Sequence, residues 1–557
     1  MNARSQPMGA GPMLNAYPDS IGGRLGDIVT FLRRPELAGT FESFYILPSL
    51  YHTDLDRGFS VIDYGLNRDL ATSEDLAALQ ALGIDLKLDF ILNHASVLSP
   101  QFQDLLQHGE NSRYRDFFID WNRFWAGHGT VTDQGYIQPD AALIADMFFR
   151  KPGLPILPVR FPDGRDVPYW NTFYQEVQYR VPDRQEFMSV LGLQYSEAGR
   201  LESLVRSELA AGKKPATMDL ADFTTRRDVV VNLLESRRVY LGQMDLDIRS
   251  PLVWEFYDDV LRQLAAYGAS IVRLDAFAYA PKAVGKRNFF NDPETWECLA
   301  RVAGLAEKYG LQLLPEIHTS YGDRTHEQIA ERGFLTYDFF LPGLLIDAFE
   351  RQTNEAILRW IADIQAKGLR TVNMLGCHDG IPLLDLRGLL TDAQIESLIA
   401  VVVGRGGYVK DLHGQKNTYY QVNATYFSAL GGDEERLLLA RAIQLFMPGK
   451  PQVWYLDLFA GENDHAAVER AGAGGHKEIN RTNLSHADID AGLSRAVVQQ
   501  QLELLRFRAS CPAFGWDATL EVLPSASHEL KLRWSNGGAV ATLAADLAAG
   551  TFVISEG

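Results

Sequence analysis

The chain has 557 residues, room for one large catalytic unit with attached subdomains or for three or four small domains. Hydrophobic residues make up 46% and charged residues 22%, which excludes a disordered, collagen-like or disulfide-built protein. With 53 basic against 71 acidic residues the net charge is −18, which repels polyphosphate backbones and argues against nucleic acid as a partner. Cys298, Cys377 and Cys511 are too scattered for a disulfide framework or a metal knuckle and read as free thiols of a reducing compartment. No apolar run is long enough to span a bilayer, and Met1 to Pro12 lacks the apolar core of a secretory signal. A cytoplasmic protein without a membrane partner is expected.

Short apolar runs alternate with longer helical patterns, the signature of β-α units around a parallel sheet. In chain order the expected strands are Met13 to Tyr17, Phe44 to Leu50, Leu86 to Leu92, Ser270 to Leu274, Gln312 to Pro315, Leu335 to Phe339, Thr371 to Leu375 and Gln452 to Leu456. Their Leu, Ile, Val and Phe content suits strands buried on both faces. Several lead at once into polar residues: Asn93-His94, Asp275, Glu316 and His378-Asp379. Chemistry in a (β/α)8 barrel gathers at these carboxyl ends, so the pattern predicts an α/β fold of the TIM-barrel type.

Residues 1–94 and 243–502 are read as the two parts of the barrel. Between them, 95–242 is too long for a loop and predicts an insertion subdomain after the third strand, with an extra helical segment over about 183–241. There Leu201, Leu204, Val205 and Leu209, and then Val229, Val230, Leu233 and Leu234, recur at helical spacing. Beyond 502 the period becomes alternation broken by glycine turns, as in Glu529 to Trp534 followed by Asn536-Gly537-Gly538, so 503–557 predicts a small antiparallel β domain.

Three acids share a context, each after an apolar strand: Asp275, Glu316 and Asp379. Any one alone could be a strand-end residue capping the next helix, but in a barrel all three would face one pocket. Retaining glycosyl transfer needs such convergence. One carboxylate attacks the anomeric carbon and a second, protonated, serves the leaving oxygen from about 5–5.5 Å away. Arg273 would keep Asp275 ionised, while desolvation near other acids would keep a proton on Glu316. His94, His318 and His378 occupy the same ends as candidate ligands of sugar hydroxyls, with satisfied core histidines as the alternative.

The residues resemble the four conserved regions of the alpha-amylase superfamily, glycoside hydrolase family 13, and within it the sucrose phosphorylase subfamily. Asp89 to His94 resembles the first region, Arg273 to Tyr279 the second, Glu316-Ile317-His318 the third and His378 to Ile381 the fourth. Asp56 to Phe59, Gln101 to Asp104, Tyr420 to Asn423, Ala440 to Phe446 and Glu478 to Arg481 carry the resemblance to the subfamily over most of the chain. It implies Asp275 as nucleophile, Glu316 as acid/base and Asp379 as transition-state stabiliser.

The same resemblance implies a glucose site of Asp56, Phe59, His94, Phe173, Arg273, Tyr279, His318, His378 and Arg481. It also implies Gln243, with Gln175 as competitor for the glutamine. Tyr420 and Gln421 would line the substrate site, and Arg150, Lys151 and Tyr420 would hold the acceptor, including phosphate. Tyr420-Gln421 resembles sucrose-active members more than those acting on sucrose 6'-phosphate, where a histidine tends to precede the glutamine. Thr418 stands where sucrose-active relatives tend to place an aspartate, Gly376-Cys377 replaces a more common Asp-Thr pair, and His413 and Lys416 bring polar groups to the same loop.

The reading is a retaining α-glucoside phosphorylase that moves glucosyl from sucrose or a related donor to inorganic phosphate, as a monomer or homodimer, with no metal or cofactor. Alternatives are a phosphorylase of sucrose 6'-phosphate, glucosylglycerol or glucosylglycerate, a sucrose hydrolase or transglucosidase, and an inactive sugar-binding barrel.

Overall fold

The computed structural model describes residues 9–147, 149, 153–411, 419–472 and 474–557. The chain divides into two compact units, one of Met1–His94, Asp140–Gly153 and Leu246–Gly557, the other of Ala95–Pro139 and Leu154–Asp245.

The first unit is built on eight parallel strands: β1 (Met13–Ala16), β2 (Ser43–Ile46), β3 (Asp85–Ile91), β4 (Ala269–Asp275), β5 (Gln312–Pro315), β6 (Thr336–Asp338), β7 (Thr371–Met374) and β8 (Lys450–Trp454). Their order in the sheet is β5-β4-β3-β2-β1-β8-β7-β6, sequential around a cylinder whose flanking strands β5 and β6 lie against each other. This is the (β/α)8 barrel that the strand count predicts.

Two carboxyl ends of strands differ from expectation by two residues or more, for local reasons. Pro48 opens a 3-10 turn over Pro48–Leu50, which stops β2 at Ile46. The apolar run after Trp454 coils into the helical turn Tyr455–Leu458 instead of extending β8.

The surrounding helices bury one stripe each. Helix Glu355–Lys367 buries Ile357, Trp360, Ile361 and Ile364 and ends at Gly368, whose φ of +60° is the left-handed stop that glycine adopts without strain. Asp338, at the end of β6, does what a strand-end acid does when it serves the fold. Its Oδ1 accepts from the N–H groups of Phe340 and Leu341, which open the next helix, and its Oδ2 accepts from the Trp360 indole.

A four-stranded antiparallel sheet ends the chain: Thr519–Val522, Glu529–Asn536, Ala539–Asp546 and Thr551–Glu556. Gly537 and Gly538, with φ of +56° and +94°, make its two-residue hairpin turn. Leu530, Leu532 and Trp534 point inward, and the Trp534 indole donates to the Phe446 carbonyl at 2.8 Å. Helix Ala496–Ser510 runs across the boundary drawn at 502, and the sheet starts only at Thr519.

The second unit contains the hairpin of Gln175–Tyr179 with Arg238–Asp245 and the helices Arg184–Leu191, Tyr195–Ala210 and Arg227–Glu235. Leu201, Val205, Val230 and Leu234 join Phe187 in one buried cluster, with Leu204, Leu209 and Leu233 packed against it, as their helical spacing predicts, whereas Val229 faces outward. The helical reading ends at Glu235, because the last part of the insertion is the strand Arg238–Asp245, which continues past 242.

Candidate active site

Side chains alternate along a strand, so Arg273 and Asp275 on β4 face the same way, into the barrel. Arg273 is 2% exposed. Its Nη1 donates to Asp89 Oδ1 on β3 at 2.6 Å and to Asp275 Oδ1 at 2.9 Å, and its Nη2 lies 2.5 Å from Glu316 Oε1, just after β5. The left-handed Ala276, φ +51°, turns the chain away after Asp275, and its N–H points at Glu316 Oε2 at 3.5 Å. One guanidinium therefore ties together three acids from three strands.

Burial, reinforced by the charges of Glu316 and Asp89, pushes the Asp275 carboxyl well above the usual carboxylate range against the pull of Arg273. Burial acts the same way on Glu316, but Arg273 and His318 outweigh it and draw the group down to about 2. The two carboxyls share Arg273 and therefore titrate as one coupled pair. The closest arm of Arg273 reaches Glu316.

Asp379 is held differently. His378 Nε2 lies 3.1 Å from its Oδ2, Lys477 Nζ 2.5 Å from its Oδ1 and Arg481 Nη2 3.9 Å from Oδ1. Burial opposes ionisation, yet these three groups keep Asp379 well below the usual carboxylate range. Its backbone is fixed as firmly, since the amides of Gln421 and Asn423 both donate to its carbonyl at 2.7 Å. Arg273, Glu316, His318, His378, Asp379 and Gln421 line one pocket.

Other expected residues surround these acids. Phe59 stacks on His378 with ring centres 5.0 Å apart, and His94 Nε2 donates to the Phe59 carbonyl at 3.0 Å. The sharp loop of Asp56, Arg57 and Gly58 has φ of +48°, +48° and +120°, and a Cβ on Gly58 would stand 2.3 Å from the Ser49 nitrogen, so glycine is required there. Asp56 faces Arg481 at 4.0 Å. His318 stacks on Phe339 at 4.0 Å and bridges Glu316 and Asp385; burial lowers its basicity, but Asp385 and Glu316 raise it to about 10. Tyr279 sits on the turn after β4 with its ring on Phe289, centres 4.7 Å apart.

Phe173 and Gln243 belong to the second unit. The Gln243 N–H donates to the Tyr174 carbonyl at 3.0 Å, and Gln243 is buried while Gln175, on the neighbouring strand, is half-buried. Arg150, Lys151, His413, Lys416, Thr418 and the Tyr420 side chain lie outside the described residues.

Sequence reasoning missed Lys477 and the structural part of Asp89. Lys477 directly precedes the Glu478-Ile479-Asn480-Arg481 stretch, and that adjacency was the signal available. Elsewhere in the first unit, among the described residues, His326, Glu327 and Asp363 stand within 4.8 Å of one another, and the Lys367 ammonium pairs with both carboxylates.

The barrel and its rim of acids define a (β/α)8 enzyme built for carboxylate chemistry. No family model matches the sequence. Over 553 residues the chain is 53% identical to the sucrose 6(F)-phosphate phosphorylase of Ilumatobacter coccineus, covering 98% of this chain and 95% of that one. It is 29% identical over 516 residues to the sucrose phosphorylase of Streptococcus mutans, covering 92% and 89%. The crystal structure of sucrose 6F-phosphate phosphorylase from Thermoanaerobacter thermosaccharolyticum superposes with a TM-score of 0.80 at 30% identity, covering 99% and 96%. The chain belongs to the sucrose phosphorylase subfamily of glycoside hydrolase family 13.

Proposed function

We propose that the protein is a retaining α-glucoside phosphorylase whose donor is sucrose 6'-phosphate. The observation that carries the donor is the 53% identity, over 98% of the chain, to a protein named for that substrate. Asp275 attacks the anomeric carbon as the bond to fructose 6-phosphate breaks, and Glu316 gives its proton to the departing oxygen. Glu316, now a carboxylate, takes a proton from inorganic phosphate, whose oxygen displaces Asp275 and leaves as α-glucose 1-phosphate. Two inversions give net retention.

Asp379, held ionised by His378, Lys477 and Arg481, grips ring hydroxyls as the oxocarbenium charge develops. Asp275 and Glu316 share the Arg273 guanidinium, and the pair titrates as a unit. Nucleophile, acid and phosphate supply all the chemistry, so no cofactor enters. The reading includes a cytoplasmic monomer or homodimer that acts on small carbohydrates and not on nucleic acid.

Unphosphorylated sucrose is the second reading, favoured by Tyr420-Gln421. The test is a panel of sucrose, sucrose 6'-phosphate, glucosylglycerol and glucosylglycerate with and without phosphate, monitoring glucose 1-phosphate. Sucrose 6'-phosphate is expected to give the highest kcat/KM, and only with phosphate. A higher value for another donor, or equal turnover without phosphate, contradicts the proposal.

A further inference from the structure

Lys87 stands on β3, two residues before Asp89, and is 0% exposed inside the barrel. Its Nζ lies 2.5 Å from the Tyr337 hydroxyl on β6, 2.7 Å from Gln452 Oε1 on β8 and 3.8 Å from the centre of the Tyr45 ring on β2. Three acceptors from three strands thus meet the three N–H bonds of an ammonium. Tyr45, Tyr337 and Gln452 line the same pocket as Glu316 and Asp379, so one layer of side chains separates Lys87 from the reacting groups. The Tyr45 hydroxyl continues the network to the oxygens of Asp89 at 3.0 and 2.9 Å, and Asp89 joins Arg273.

A buried ammonium is costly, and no step of the mechanism uses this one. Its worth lies in the charge balance of the lumen. With Glu316 protonated, the anions Asp89 and Asp275 face the cations Arg273 and Lys87, and the group is neutral. Without Lys87 it carries a net negative charge, and every further ionisation is opposed. The groups facing Lys87 are Tyr45, Asp89, Arg273, Glu316, Tyr337 and Cys377. Burial, the largest effect, and Arg273 bring its basicity well below the usual ammonium range, with Asp89, Glu316 and Cys377 opposing that fall; the geometry of the charged form is carried by the three acceptors around Nζ.

We propose that Lys87 is a positioning residue that supplies the second positive charge beneath the active site and thereby sets the two ionisations of the Asp275–Glu316 pair. The inference rests on reading that pair as nucleophile and acid/base.

The test is the pH profile of kcat/KM for sucrose 6'-phosphate with phosphate in wild type, Lys87→Met, Lys87→Gln and Lys87→Arg. Removing the cation is expected to move both limbs of the bell to higher pH by about 0.5–1 unit in the two neutral variants. Lys87→Arg is expected to keep the wild-type bell. Neutral variants that fold and keep that bell, or an arginine variant that shifts as far, overturn the proposal. Should the neutral variants not fold, 15N-lysine NMR of the wild-type enzyme decides. An exchange-protected ammonium resonance at the pH optimum supports the proposal, and a neutral amine there overturns it. A wild-type profile with no bell at all instead removes the acid/base reading, so the two failures are distinct.

Discussion

Replacing Lys477 with methionine removes the cation nearest Asp379 while keeping most of the side chain's length. The ammonium lies 2.5 Å from Asp379 Oδ1, and both side chains are only 20% exposed. Breaking a well-buried pair costs about 3–5 kcal/mol. Here His378 at 3.1 Å and Arg481 at 3.9 Å remain to share the carboxylate, and part of the pair is solvated. The loss of transition-state stabilisation should therefore be about 2 kcal/mol, roughly thirtyfold in kcat/KM. Because those two groups still keep Asp379 ionised, the loss should appear without movement of the pH optimum, and Lys477→Arg should recover part of it. The assay is initial-rate formation of glucose 1-phosphate across pH, with calorimetry to confirm folding. A Lys477→Met enzyme within twofold of wild type, or one whose acid limb moves by a unit, would refute the reasoning.

Gly58→Ala forces a Cβ against the Ser49 backbone at positive φ and should cost about 2–4 kcal/mol of stability, lowering Tm and raising KM through the neighbouring Asp56 and Phe59; unchanged values count against the loop's role. His318, raised to about 10 in the folded protein from about 6.5 unfolded, stabilises fully below pH 6.5, an effect lost as pH rises through 10. The Tm gap between wild type and His318→Gln should therefore be widest at pH 6 and close above pH 10, and a gap that widens with pH contradicts the assignment. Leu201→Ala opens the buried helical cluster at a cost of about 2–5 kcal/mol. Hydrogen exchange should speed up across 184–235 while β1 to β8 stay protected; acceleration of the barrel strands would contradict the division into units.

All eight barrel strands were legible because burial on both faces leaves short runs rich in apolar residues, and the three functional acids sit where three of those runs end. The capping alternative was also sound, but Asp338 fulfils it, and Asp275, Glu316 and Asp379 do not. Strand ends slipped where an apolar run continues into a turn, as at Pro48 and Tyr455. Lys477 was missed because it lies in a 3-10 turn among glycines, where no periodicity marks a direction. Lys87 was hidden for a different reason: charged residues alternating with Leu86, Leu88 and Phe90 read as the solvent side of a strand, and the pattern does not reveal that the barrel interior itself carries charge.

The most direct test of the account is covalent. A 2-deoxy-2-fluoroglucosyl donor with a good leaving group slows the second step and traps the glycosyl-enzyme. Peptide mapping of the trapped protein should place the sugar on Asp275, with phosphate releasing it as the α-anomer. A label on any other side chain, or a β-anomeric product, would contradict the mechanism.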